Sequence, residues 1–150
     1  MTRARHLLAG VVLGVALAGC GTVHPTLDDL RAVPGGALQY PGSVEIESGN
    51  QESNANVMAK NGAILRSYRC AGAPRETWGP WFADQLAAAG WEAVHNPSFG
   101  SGDGDTLVGE WRRGDYLFDL YDLSAAHLVS LHDQYGGPQG CASGYETLMR

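Results

Sequence analysis

Lysine is almost missing from this chain. Lys60 is the only one among 150 residues, and Lys and Arg together number 10 against 16 Asp and Glu. A formal charge of −6 argues against binding to a phosphate backbone or a layer of anionic headgroups through the chain's own surface. No apolar run reaches the roughly 20 residues that cross a bilayer; the longest extends from Leu7 to Ala18. The sequence has no Gly-x-Ser-x-Gly elbow, no His-Glu-x-x-His, no phosphate loop and no dinucleotide fingerprint. Neither Cys70 nor Cys141 lies in a Cys-x-x-Cys motif, and no segment repeats. Nothing in the sequence therefore names a reaction.

What is present is concentrated at the N-terminus. Thr2 to His6 carries Arg3 and Arg5 and no acid. Leu7 to Ala18 is an unbroken run of Leu, Val, Ala and Gly, whose length suits the apolar core of a secretory signal peptide. The run ends in Leu17-Ala18-Gly19-Cys20. This stretch resembles the lipobox of bacterial membrane lipoproteins, residue for residue. The resemblance implies a diacylglyceryl group on the Cys20 sulfur, cleavage between Gly19 and Cys20, and an acylated, palmitate-type N-terminus. It further implies an extracytoplasmic protein whose membrane contact is its covalent lipid, since two or more acyl chains anchor stably where one does not. The arginines are not adjacent, which fits a general export route better than a twin-arginine one. Gly21 stands where an Asp would mark inner-membrane retention in some envelopes, which leaves the choice of membrane open. The alternatives are an ordinary signal peptide with an incidental cysteine, or a short buried helix.

This organisation divides the chain into a signal peptide over 1–19, a lipidated terminus and tether over 20–36, and a small domain over 37–150. Removing Arg3 and Arg5 with the signal takes the formal charge from −6 to −8. The tether could start one helical turn at Thr26, with Asp28 and Asp29 in the first turn, stopped by Pro34-Gly35-Gly36. With Cys20 lipidated, Cys70 and Cys141 remain, and an even remainder in an exported domain reads as one disulfide.

Within the domain, Ser43–Glu47 alternates apolar and acidic residues and reads as a half-buried strand. Gly49–Asn56 is loop-like, Asn61-Gly62 is a tight-turn signal, and 63–70 follows as a second strand. Trp78, Phe82, Leu86 and Ala89 form one apolar stripe. Pro80 interrupts that pattern, so the regular helix is expected from Pro80 to Ala89, with Gly90 as its left-handed cap. A strand over 91–95, a loop over 96–105 and a hairpin of 106–113 with 115–123 follow, turning at Gly114. Residues 127–133 read as a further strand; the competing reading is a helix capped by Ser124 with Leu128, Leu131 and Tyr135 on one face. The tail 145–149 is expected to add an edge strand. The predicted fold class is α+β, an antiparallel sheet of five or six strands with one main helix packed on one face. The order of Tyr-Pro-Gly turn, helix, Gly-Trp and hairpin is similar to that of small bacterial envelope lipoproteins, and it implies no activity.

Few residues in the domain carry chemistry. His127 and His132 are five apart, which suits neither strand nor helix as a metal pair. Asp103-Gly104-Asp105 opens like a calcium loop but lacks its later ligands, and a solvated turn is the simpler reading. Ser124, Ser130 and His127 are close in sequence, which says little about a triad. Asp115, Asp119 and Asp122 lie on or beside one strand, with Asp115 and Asp119 expected on one face and Asp122 on the other; with Glu110 they could serve a hydrolase. Among four tryptophans, Trp78 and Trp91 are expected in the core. Trp81 lies off the stripe and is the candidate binding residue, facing an envelope protein or glycan. The leading expectation is a non-enzymatic, lipid-anchored binding or accessory module, with no metal, no nucleic acid and no cofactor besides the lipid. The alternatives are a hydrolase acting on peptidoglycan or polysaccharide, and a purely structural lipoprotein.

Overall fold

A computed structural model of the chain describes residues 25–52, 62–100 and 104–150. The signal segment and Cys20 lie outside the described residues, as do Asn61 and Asp103.

Large apolar residues on alternate positions of two long strands set the layout. In β4 (Thr106–Arg113) and β5 (Tyr116–Leu123), Trp111 pairs with Phe118 across a hairpin that turns at Gly114, whose φ of +60° suits glycine. With β1 (Val44–Glu47), β2 (Leu65–Cys70), β3 (Glu92–Ala93) and β6 (Gly144–Met149) they form one six-stranded sheet in the order β1-β2-β6-β5-β4-β3, every neighbouring pair antiparallel. Three helices accompany the sheet: α1 (Leu27–Ala32), α2 (Arg75–Ala88) and α3 (Ala125–Tyr135). The fold is α+β. None of these helices is long and apolar enough to cross a membrane.

One sheet face carries the main core. Trp78, Phe82 and Leu86 of α2 are fully buried there with Phe118, Leu120 and Tyr145 of the sheet. Phe82 stands edge-on to Tyr145, with ring centroids 5.0 Å apart, and Trp78 lies 5.4 Å from the same ring. The expected apolar stripe is thus in place, but the helix is longer than expected: it starts at Arg75 and continues through Pro80. Proline lacks the N–H that would bond the Glu76 carbonyl, and Glu76 is exposed, so the missing bond is not a buried one. At the other end the Gly90 N–H bonds to the Ala87 carbonyl and the Trp91 N–H to the Leu86 carbonyl, a left-handed cap that turns Trp91 into the core.

Four further expectations are corrected. The tether over 20–36 is not free along its described part. Thr26 caps α1 in a capping box with Asp29, Leu27 and Leu30 enter the main core, and Trp91 donates its indole N–H to the Pro34 carbonyl at 2.6 Å. The packed unit therefore includes residues from Pro25 onward rather than beginning at 37. The strand expected over 127–133 is helix α3, because the Ser124 hydroxyl accepts from the His127 N–H and Leu128 and Leu131 fall on one buried face. The tail is not an edge strand: β6 is central, paired along its whole length with both β2 and β5. The strand after Trp91 is shorter than expected, with two ladder residues.

The second sheet face is divided. At one end α3 lays Leu128 and Leu131 over Leu123, with Ile46, Tyr68 and Cys141 packed against them. The rest of that face carries charged and phenolic side chains with Leu117 and Leu148 among them.

Candidate functional site

Alternation along the ladders places a set of charged and phenolic residues on the second face beyond α3. Tyr68, Glu146 and Tyr121 form one row across β2, β6 and β5. Arg66, Leu148, Asp119 and Glu110 form the next, and Leu117 of β5, paired with Arg112 and Arg150, the third. Opposite charges meet across strands: Arg66 Nε lies 3.0 Å from Glu146, and Arg150 bridges Asp119 and Glu110, the latter at 3.6 Å.

Asp119 is the buried centre of this network, with a side chain only 2 % exposed. One carboxylate oxygen accepts from Arg150, and the other has no partner among the described residues. Burial raises its proton affinity, Arg150 opposes that, and Glu110 adds to it; the net shift is upward. Burial likewise raises Glu146 against the pull of Arg66 and His127, and Asp122 against that of Arg75.

Of the four acids singled out in the sequence, only Glu110 and Asp119 come together. Asp115 sits in the hairpin turn, off the strand, so the expected shared face with Asp119 is not formed. Asp122 does face the other side and pairs with the buried Arg75, whose guanidinium also donates to the Ser98 carbonyl. Arg150, Arg66 and Glu146 went unread because their partnership depends on β6 lying between β2 and β5. The signal available was the alternation of Glu146 and Leu148 with Tyr145 and Thr147.

The other candidates are structural in their placement. Asp105, at φ +50°, accepts from the Ser124 backbone and hydroxyl and lies 2.8 Å from His127 Nδ1, so it clasps the start of α3. Burial pushes its pKa up, but the hydrogen bonds from Ser124 and the pairing with His127 outweigh that and lower it. Among the described residues no group of three or more His, Cys, Asp and Glu gathers as a metal site. Trp81 is half-buried at the rim of α2, edge-on to Tyr40 at 5.5 Å and to Phe82 at 5.1 Å. Cys70, at the end of β2, is disulfide-bonded to Cys141, with Cα atoms 5.8 Å apart.

The chain matches no protein-family model, no curated protein and no solved structure.

The buried acids give the fold a definite pH dependence. A carboxyl whose pKa is raised on folding binds its proton more tightly in the folded state. Its contribution is full below the unfolded value and is lost as pH rises through the folded one. Asp119 and Asp122, with an ordinary value of 3.8, and Glu146, with 4.5, are of this kind. Asp29 and Asp105 are lowered, so their contributions hold above 3.8 and are lost as pH falls through the folded values. The melting temperature is therefore expected to rise on mild acidification from neutrality and to fall once Asp29 and Asp105 protonate. Asp119→Asn should flatten the rising limb. A rising limb of unchanged slope in that variant would show that Asp119 is not its source.

Proposed function

We propose that this protein is a lipid-anchored, extracytoplasmic envelope protein whose α+β domain is a non-enzymatic binding or accessory module. The observation that carries the reading is the run Arg3–Cys20, with positive flank, short apolar core and Leu17-Ala18-Gly19-Cys20 in order. The Cys70–Cys141 disulfide supports it, because such bonds persist in oxidising compartments. The partner in this reading is an envelope protein or glycan, and the only cofactor is the lipid on Cys20. Trp81 is a candidate contact at the rim of the core.

The hydrolase reading has one observation in its favour, the cross-strand pairing of Glu110 with Asp119. The burial of Asp119 under Arg150 counts against it, since a catalytic carboxyl must reach within about 3 Å of its substrate.

Labelling with a palmitate analogue in a bacterial host, followed by membrane fractionation, tests the anchor. Wild-type chain is expected in the membrane fraction with label on Cys20. Cys20→Ala should lose the label and leave the signal segment misprocessed or the protein released. An intact mass with unmodified Cys20 in the wild type would overturn the localisation. Crosslinking of the intact protein in its own membrane tests for a partner.

A further inference from the structure

Little chain separates the lipidated cysteine from the packed domain. Four residues, 21–24, lie between Cys20 and Pro25, and Pro25 already belongs to the fold, its carbonyl accepting from the Ala63 N–H at 3.2 Å. Those five steps span about 18 Å at full extension. The headgroup layer takes up roughly 5–7 Å of that. About 10 Å is left outside it, against a domain about 35 Å across. A body of that size on so short a link can tilt, but it cannot turn its attached end away from the membrane.

The contacts of α1 show which end is attached. Leu65 of β2, Met149 of β6, Phe118 of β5 and Trp111 of β4 pair in series and mark one end of the sheet, close to Arg150 and the Gly114 turn. Helix α1 crosses that end. It starts beside Ala63, just before β2, and Pro34, just past it, accepts from the Trp91 indole and, at 3.4 Å, from Arg113 at the end of β4. The opposite end holds Cys70, Gly144 and Leu123, the disulfide, and the first turns of α2 and α3.

The arginines are sorted between these ends. Arg31, Arg66, Arg112, Arg113 and Arg150 are exposed or half-buried, and all lie on α1 or at the attached end of β2, β4 and β6. The two other described arginines, Arg69 and Arg75, are buried beside Glu45 and Asp122 toward the far end, where Glu45, Glu76 and Asp105 are exposed. Arg31, Arg66 and Arg150 have carboxylate partners, whereas Arg112 and Arg113 have none within ion-pair distance among the described residues. The further acids of the attached end are Asp28 and Asp29 of α1, Asp115 in the turn, and Glu92, opposite Arg112 in the ladder.

We propose that α1 and the tip of the β4–β5 hairpin face the lipid surface, with Arg112 and Arg113 on the phosphates of anionic headgroups and the disulfide end directed away. The proposal rests on the lipid-anchor reading: the anchor supplies the affinity, and the arginines select the tilt. The acidic net charge of the chain does not oppose it, because only charges within about 8 Å of the headgroups are felt strongly at physiological salt.

The test uses lipidated full chain, purified from the membrane of a bacterial host and placed in vesicles of phosphatidylcholine alone or mixed with phosphatidylglycerol. With Cys20 acylated and Cys70 bonded to Cys141, a single added cysteine carries a fluorophore. The two sites are Asp115→Cys at the hairpin tip and Ala125→Cys at the start of α3, both exposed. Quenching by a lipid with a nitroxide on its headgroup is the readout. The label at 115 is expected to be quenched more than the label at 125 on both vesicles, with the larger contrast on the mixed ones. Each arginine on an anionic surface weights one orientation by about fivefold. Joint Arg112→Gln and Arg113→Gln replacement should therefore reduce the contrast on mixed vesicles to that on phosphatidylcholine. A Gly/Ser insertion of about 20 residues after Gly21, which reaches about 25 Å, should abolish the contrast on phosphatidylcholine. Equal quenching of the two labels in lipidated, vesicle-bound chain would overturn the orientation and leave the anchor standing. A contrast on mixed vesicles unchanged by the arginine replacements would overturn the phosphate contact. Chain with unmodified Cys20 that stays out of the vesicles would overturn the anchor reading and the proposal together.

Discussion

Phe82→Ala is expected to cost about 3–5 kcal/mol, the range for deleting a buried aromatic ring. Phe82 is fully buried and its ring lies among those of Trp81, Phe118 and Tyr145, with centroids 5.1, 6.2 and 5.0 Å away. Alanine would leave a cavity between helix and sheet that the long strands β5 and β6, each paired on both sides, cannot collapse to fill. Leu86→Ala, one turn on, should cost about 2–5 kcal/mol for the same reason. Trp81→Ala removes a half-buried ring at the rim and should cost only about 1–2 kcal/mol. Thermal and denaturant melting of the three variants checks the order. Melting of Trp81→Ala as low as that of Phe82→Ala would make Trp81 a core residue and remove it as a candidate contact.

Joint replacement of Cys70 and Cys141 by serine is expected to cost about 4 kcal/mol in the chain-entropy model, since the bridge spans 71 residues. Domains of this kind have about 5–15 kcal/mol in all, so the loss is a large fraction of the total. Its local effect should be uneven. The bridge ties β2 to the loop that returns from α3, and Cys141 packs against the small cluster of Leu123, Leu128 and Leu131. That cluster is far smaller than the one under α2, so α3 should open first. Hydrogen exchange with and without reductant is the measurement. Protection lost in α3 before α2 is the expected result, whereas simultaneous loss would mean that the two faces unfold as one unit.

Much of the architecture was legible in local chemistry. The four-residue spacing of Trp78, Phe82 and Leu86 needs no tertiary information, because a helix brings such positions onto one face. Gly90 and the Gly114 turn were readable because both require a backbone that glycine adopts freely. The disulfide followed from cysteine arithmetic. The misreadings have two causes. Whether α1 hangs free or is packed depends on where Leu27 and Leu30 find apolar surface, and that surface is assembled from remote segments such as Trp91 and Met149. Residues 127–133 are short and mixed, so cap and stripe had to decide against a strand pattern that differed by little.

The candidate site was less legible. Glu110 and Asp119 face each other because a hairpin pairs near neighbours in sequence. Arg150 and Arg66 join them through the insertion of β6 between β2 and β5, which links segments some 80 residues apart. The pairing of Ser67 with Thr147 arises from the same insertion.

The sequence by itself determined the helix of the main core, the hairpin and the disulfide, because each depends on spacing or a turn within a few residues, or on counting cysteines. Only the tertiary structure decided that the tail is the central strand, that the start of the described chain is packed, and which charges and hydroxyls meet. A six-residue strand has no local preference for edge or centre; its position is set by which neighbours can satisfy its backbone groups on both sides and bury its side chains on both faces.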